Sequence, residues 1–175
     1  NDIWALIASG DGKPVPVVQT PFNDTTGRFS PDGRWIAYHS NESGGRNEVF
    51  VVPFLAPAQP PVGTATTAPA GKWQVSTAGG TGARWRRDGK ELFYVSADNK
   101  LMAATVNGEG SAFQVGAVRP LFEVHRRTTS YRGFGNDRSY DVSPDGQRFL
   151  VNTVMEQAGT APINVVLNWT AALKK

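Results

Sequence analysis

Phe29-Ser-Pro-Asp-Gly-Arg-Trp-Ile-Ala-Tyr38 decides how this chain is read, because it returns twice. The second copy is Trp85-Arg-Arg-Asp-Gly-Lys-Glu-Leu-Phe-Tyr94, and the third is Val142-Ser-Pro-Asp-Gly-Gln-Arg-Phe-Leu-Val151. Asp88 lies 56 residues after Asp32, and Asp145 lies 57 after Asp88. A fixed period of this size marks a repeat architecture. Each copy closes one apolar strand, reverses at Asp-Gly and leaves on a second apolar strand. Gly takes positive φ without steric cost, and Asp bonds the backbone of its own turn. Asp-Gly between apolar runs is a strong hairpin signal. Three such hairpins at steady spacing predict small antiparallel sheets repeated around an axis, which is an all-β propeller.

Working outward from the turns, the sequence divides into blades counted from inner strand A to outer strand D. Ile3–Ile7 and Val15–Gln19 read as strands C and D of a partial first blade, residues 1–20. The second blade, 21–77, has A ending at Phe29, B at Trp35–Ser40, C at Glu48–Phe54 and D at Trp73–Ser76. The third, 78–125, has A near Ala83–Arg86, B at Glu91–Ser96, C at Leu101–Val106 and D at Pro120–Val124. A partial fourth, 126–170, has A at Ser139–Ser143, B at Arg148–Val154 and C at Pro162–Trp169. Residues 55–71 are rich in Pro, Ala and Thr without apolar period and read as an extended surface loop. About three to three and a half blades make half of a six-bladed ring. Unpaired edges at both ends invite strand pairing, so a homodimer that closes the ring is the expected assembly.

These motifs also carry a resemblance. The Phe29–Tyr38 stretch resembles the repeat of TolB-like, WD-related propellers. The order Trp73-Gln-Val-Ser-Thr, Arg84 to Tyr94, Tyr140 to Leu150 and Val165-Val-Leu-Asn-Trp169 is similar to the C-terminal part of propellers fused to bacterial eukaryotic-like serine/threonine kinases and to some DNA-binding regulators. The resemblance implies a sensor or interaction module, and an extracytoplasmic propeller tethered to a cytoplasmic kinase. It does not extend to kinase motifs: the chain has no glycine-rich ATP loop and no His-Arg-Asp loop. Family propellers have six or seven blades, so the chain is expected to be part of a larger assembly. The absence of an initiator Met points to a truncation or processing point at Asn1.

Composition narrows the chemistry. The net charge of +3 is dispersed, which argues for ordinary solubility and against nucleic-acid binding. There is no Cys, so disulfides, thiol catalysis and thiolate metal sites are excluded. No apolar run approaches the ~20 residues of a membrane-spanning helix. No nucleophile elbow, phosphate loop or His-Glu-x-x-His motif is present.

Strand direction puts the Asp-Gly turns on one face and the D–A and B–C loops on the other. The second face collects both histidines, His39 and His125, and most of the polar side chains suited to ligation. Function on a propeller sits on such loops at the channel mouth. His39 and His125 are therefore the candidate metal ligands, with zinc suited to His plus carboxylate and calcium to Asn, Asp and Glu oxygens. Asn23, Asp24, Asn41, Tyr131 and Arg138 are the candidate ligand-binding residues. Glu42, Asp137 and Arg132 are the candidate catalytic groups. The loop from His125 to Arg138 mixes Arg with Tyr131 and Phe134, which suits an anionic or aromatic ligand. Two functions compete. One is a non-catalytic ligand- or protein-binding module. The other is a metal-dependent hydrolase of phosphotriesters or lactones, with its site in the channel of a dimeric ring. A fold segment stabilised by self-association is a third reading. Asp32, Asp88 and Asp145 are read as turn residues. Trp35, Trp73, Trp85, Phe93 and Phe149 are read as packing between blades.

Overall fold

The Asp-Gly hairpins form as the repeat requires. In the computed structural model, which describes residues 1–6, 8, 12–54, 71–109, 112–124 and 140–152, Gly33, Gly89 and Gly146 take φ of 71°, 72° and 71°. Each of these glycines donates its N–H three residues back, to the carbonyls of Ser30, Arg86 and Ser143. Each aspartate accepts the amide two residues on: Asp32 from Arg34, Asp88 from Lys90 and Asp145 from Gln147. In the first and third copies a serine hydroxyl adds a bond to the same carboxylate. In the second copy the Arg86 guanidinium takes that place, at 2.7 Å to both oxygens. The aspartates are turn residues.

The described strands form four antiparallel sheets, and the three turns lie in the second, third and fourth. The first pairs β1 (Ile3–Leu6) with β2 (Pro14–Val18). The second runs in order through β3 (Thr25–Phe29), β4 (Trp35–Ser40), β5 (Glu48–Pro53) and β6 (Trp73–Gln74). The third runs through β7 (Thr81–Trp85), β8 (Glu91–Val95), β9 (Lys100–Asn107) and β10 (Gln114–Glu123). The fourth pairs β11 (Tyr140–Val142) with β12 (Phe149–Val151). Within each sheet consecutive strands are neighbours, and no helix occurs among the described residues. The chain is all-β, and its sheets are consecutive blades of a propeller.

Most strands shift by a few residues from the sequence reading, and the expected strand Pro162–Trp169 lies outside the described residues; the largest departure is one strand. β10 begins at Gln114, six residues before the expected start at Pro120. Proline read as the head of a strand, yet Pro120 lies inside β10, opposite Met102. β10 is the outermost strand of its sheet. A missing N–H costs little at such an edge, so proline there does not interrupt the strand.

The sheets bury both faces against their neighbours, which is why β4 is buried along its whole length. Alternation sends Trp35 and Ala37 toward the third sheet, where they meet Ala83, Leu92, Tyr94 and Ala104. It sends Tyr38 toward the first sheet, where it packs with Val18, Phe50 and Ile3. In β8, Leu92 and Tyr94 pack with the second sheet, and Phe93 and Val95 pack with Tyr140 of the fourth. The aromatics fill these seams. Trp35 meets Trp73 at 5.5 Å and Phe113 at 5.0 Å between ring centroids, and Phe93 meets Phe149 at 5.1 Å. Phe113 comes from the connection between β9 and β10 and closes the seam between the second and third sheets. No helix among the described residues is long and apolar enough to cross a membrane.

Candidate functional site

At one end of the second sheet the loop after β2 meets the loop after β4. Five of the residues singled out from sequence lie there: Asn23, Asp24, His39, Asn41 and Glu42. The Asn23 amide donates to the Asn41 side-chain oxygen at 2.9 Å, so the two loops are joined. Glu42 accepts from Lys72 at 2.5 and 2.7 Å. The Lys72 ammonium also sits 5.3 Å over the Phe50 ring. Asp24 is 1% exposed. One of its oxygens accepts from Thr20 at 2.5 Å, and its amide donates to the Asn1 carbonyl at 2.9 Å.

His39 is buried rather than displayed at a rim. The register of β3 on β4 shifts between Thr25 and Arg28, and Thr26 takes a φ of 60°. A bulge of this kind re-aims side chains. Here it brings the Thr25 hydroxyl to 2.7 Å from Nε2 and the Thr26 hydroxyl to 2.6 Å from Nδ1. Both ring nitrogens therefore hold hydroxyl partners, and a metal at either one must displace a threonine. Among the described residues no three His, Asp or Glu side chains converge on one point. His125, Tyr131, Arg132, Asp137 and Arg138 lie outside the described residues, and so does most of the proline-rich stretch 55–71.

Two features were not singled out from sequence. The first is Glu48, a carboxylate 1% exposed at the start of β5. It accepts from the Ser76 hydroxyl at 2.5 Å, the Gly79 amide at 2.8 Å and Arg46 at 3.3 Å. It thereby pins the loop that enters β7. A polar residue at the head of an otherwise apolar strand, Glu48-Val-Phe-Val-Val52, is its sequence signal.

The second is a set of side chains on the inner strands. Arg28, Arg84 and Asp141 each stand four residues before the aspartate of their turn, so they occupy one repeat position on β3, β7 and β11. The inner strands touch across the seams. The Trp85 indole donates to the Arg28 carbonyl at 3.1 Å, and the Arg84 guanidinium lies 5.7 Å from the centre of the Tyr140 ring. Arg28, Arg84, Tyr140, Asp141 and Leu150 line one open depression of about 700 Å³. Leu150 is 78% exposed at its wall. Guanidinium groups present planar forks that match carboxylate and phosphate, while Tyr140 and Leu150 offer apolar surface. The arrangement suits a ligand that joins an anionic group to an apolar part.

No protein-family model and no curated protein matches the chain. Solved structures do. A TolB from Acinetobacter baumannii superimposes with a TM-score of 0.57 at 18% identity, covering 89% of this chain and 32% of that one. A protein described as TolB from Agrobacterium tumefaciens gives 0.51 at 18% identity, covering 70% and 41%. This chain thus spans less than half the length of either. The likeness establishes the fold, a stretch of TolB-like β-propeller.

Proposed function

We propose that this chain is a non-catalytic binding module that takes an anionic ligand, or an anionic peptide segment of a partner, along the inner edges of its blades. The observation that carries this reading is the shared depression of Arg28, Arg84, Tyr140 and Asp141. Its charged groups come from one repeat position on three successive inner strands. These groups recognise and orient, and His39, held between two threonines, does not line the depression. The resemblance to propellers fused to regulatory kinases gives such a module a context, in which ligand occupancy is reported to an attached domain. Edge pairing completes the proposal. Among the described residues β1 pairs with β2 alone, and Trp4 and Leu6 on it are exposed. An open edge of this kind recruits another strand, so the isolated 175-residue chain is expected to pair with a second copy.

The test is a binding assay with acidic probes. Thermal shift of the purified chain against citrate, a sugar phosphate and a peptide rich in Asp and Glu should give a rise with at least one of them. Arg84→Gln should weaken that response roughly tenfold or more, as expected for a charge-assisted contact. The response should fall with salt. Light scattering should report twice the chain mass. Hydrolysis of activated esters or lactones that His39→Ala abolishes would overturn the non-catalytic reading. No response to any acidic probe would remove the inner-edge site.

A further inference from the structure

The seam between the first and second sheets contains buried polar atoms that have no hydrogen-bond partner among the described residues. They are Oδ1 of Asp24, the Tyr38 phenol oxygen and the Ser40 hydroxyl. Asp24 is 1% exposed, and Tyr38 and Ser40 are fully buried. Buried polar side chains are nearly always hydrogen-bonded, and each exception calls for an explanation. A buried carboxylate calls for one most strongly, because buried charges are paired or coordinate metals. No ion pair of Asp24 occurs among the described residues, and Thr20 satisfies just one of its two oxygens.

The three groups share one side of the sheet. Thr25 pairs with His39 across β3 and β4, so the ladder continued one step sets Asp24 opposite Ser40. Directly opposed residues in an antiparallel pair carry side chains on the same face. Strand alternation puts Tyr38 on that face as well, with His39 on the other. Burial, and after it the charges of Glu42 and Asp24, push the Tyr38 phenol above its ordinary value. Asp24 also borders an open depression of about 430 Å³ with Asn1, Asp2 and Thr25. Asp2 gives that depression a second carboxylate.

We propose that a hard, oxygen-seeking cation binds in this seam, ligated by Oδ1 of Asp24, the Ser40 hydroxyl and the Tyr38 phenol oxygen. The donor set is all oxygen with a single carboxylate, which suits calcium or sodium at modest affinity. It does not suit zinc, whose sites are built mainly on histidine nitrogen and cysteine sulfur, with carboxylates beside them. It also does not suit magnesium, which demands near-ideal octahedral geometry and gives up water reluctantly. The amide of Asp24 holds the carbonyl of Asn1, two residues before β1, so a cation fixed on Asp24 also steadies the contact of the first sheet with the second. A water molecule alone satisfies hydrogen bonds but leaves the charge uncompensated.

The test uses the purified 175-residue chain, stripped with chelator and kept at constant ionic strength with choline chloride. Calcium, sodium and magnesium chlorides are each titrated while thermal unfolding is followed. Calcium or sodium should raise Tm by about 3–6 °C at ten times its Kd, and magnesium should do much less. A response to calcium identifies a divalent site, and a response to sodium alone identifies a monovalent one. Asp24→Asn and Ser40→Ala should abolish the rise, while Glu109→Gln should keep it. Terbium supplies a second measurement that does not depend on melting. Emission sensitised by tyrosine should appear, should be displaced by the ion that raises Tm, and should be lost in Tyr38→Phe, which keeps the packed ring. No shift with either ion overturns the proposal. So does a shift that survives in Asp24→Asn, or terbium emission unchanged in Tyr38→Phe.

Discussion

The second sheet has two seams of opposite character. Toward the third sheet it is aromatic and polar-satisfied. Trp35, Trp73, Trp85 and Phe113 interlock there, and the Trp35 and Trp85 indoles donate to the carbonyls of Gly108 and Arg28. Toward the first sheet, Val18, Tyr38 and Phe50 form a small core, and three polar atoms above it have no partner. One sequence repeat generates both sides of the sheet, so the repeat itself does not explain the difference. The aromatic seam is built for cohesion. The other seam leaves polar atoms to be satisfied from outside, and we place a cation there.

The largest effect that sharpens this contrast is Phe113→Ala. Removing a buried aromatic plug should cost about 3–5 kcal/mol, read as a lower urea midpoint. A loss under about 1 kcal/mol would mean that the aromatic seam does not hold the second and third sheets together. Next is Glu48→Ala, which strips the Gly79 amide and the Ser76 hydroxyl of their acceptor. A buried group left unsatisfied should cost about 2–3 kcal/mol. A loss under about 1 kcal/mol would mean that Glu48 does not hold the loop that enters β7.

A smaller effect is expected in acid. The Arg86 guanidinium and the Lys90 amide hold Asp88 below its ordinary value of 3.8. At Asp32 burial acts upward, but the Ser30 hydroxyl and the Arg34 amide outweigh it, and the carboxyl again lies below 3.8. A depressed carboxylate contributes stability that is present above its unfolded value and lost as pH falls through its folded one. The turns should therefore weaken below about pH 4. Asp88→Asn should remove its share of that acid sensitivity and cost no more than about 1 kcal/mol at neutral pH, since the Arg86–Asp88 pair is partly exposed and screened. Chemical denaturation across pH 2–7 reads both.

The smallest effect is Tyr38→Phe in ion-free buffer. Deleting a buried hydroxyl that has no partner should leave stability unchanged or raise it by up to about 1 kcal/mol. A loss of 2 kcal/mol or more would show that the phenol is bonded within the protein and that the seam is already satisfied.

Much of the fold is legible in the sequence because one signal repeats. Asp-Gly with apolar flanks locates β3–β4, β7–β8 and β11–β12, and β4 occupies the stretch Trp35–Ser40 expected of it. Trp35, Trp73, Trp85, Phe93 and Phe149 pack between sheets as read. The start of β10 was hidden by Pro120, since edge position is a tertiary property. The candidate site was less legible. The gathering of Asn23, Asp24, His39, Asn41 and Glu42 at one end follows from strand direction alone. Their roles do not. His39 reads as a rim residue until the bulge at Thr25 and Thr26 folds two hydroxyls around it. Asp24 reads as a solvent ligand until Asn1 and Thr20 close over it. Arg28, Arg84 and Asp141 were within reach, because aligning the repeats puts all three in one column.

The contrast between the two seams is tested most directly by native-state hydrogen exchange of the ion-stripped chain, with and without calcium or sodium. Amides of β1, β2 and β4 should gain protection when the ion is added, while those of β8 and β9 should stay unchanged. Equal protection in both regions without ion, unaltered by its addition, would contradict the account.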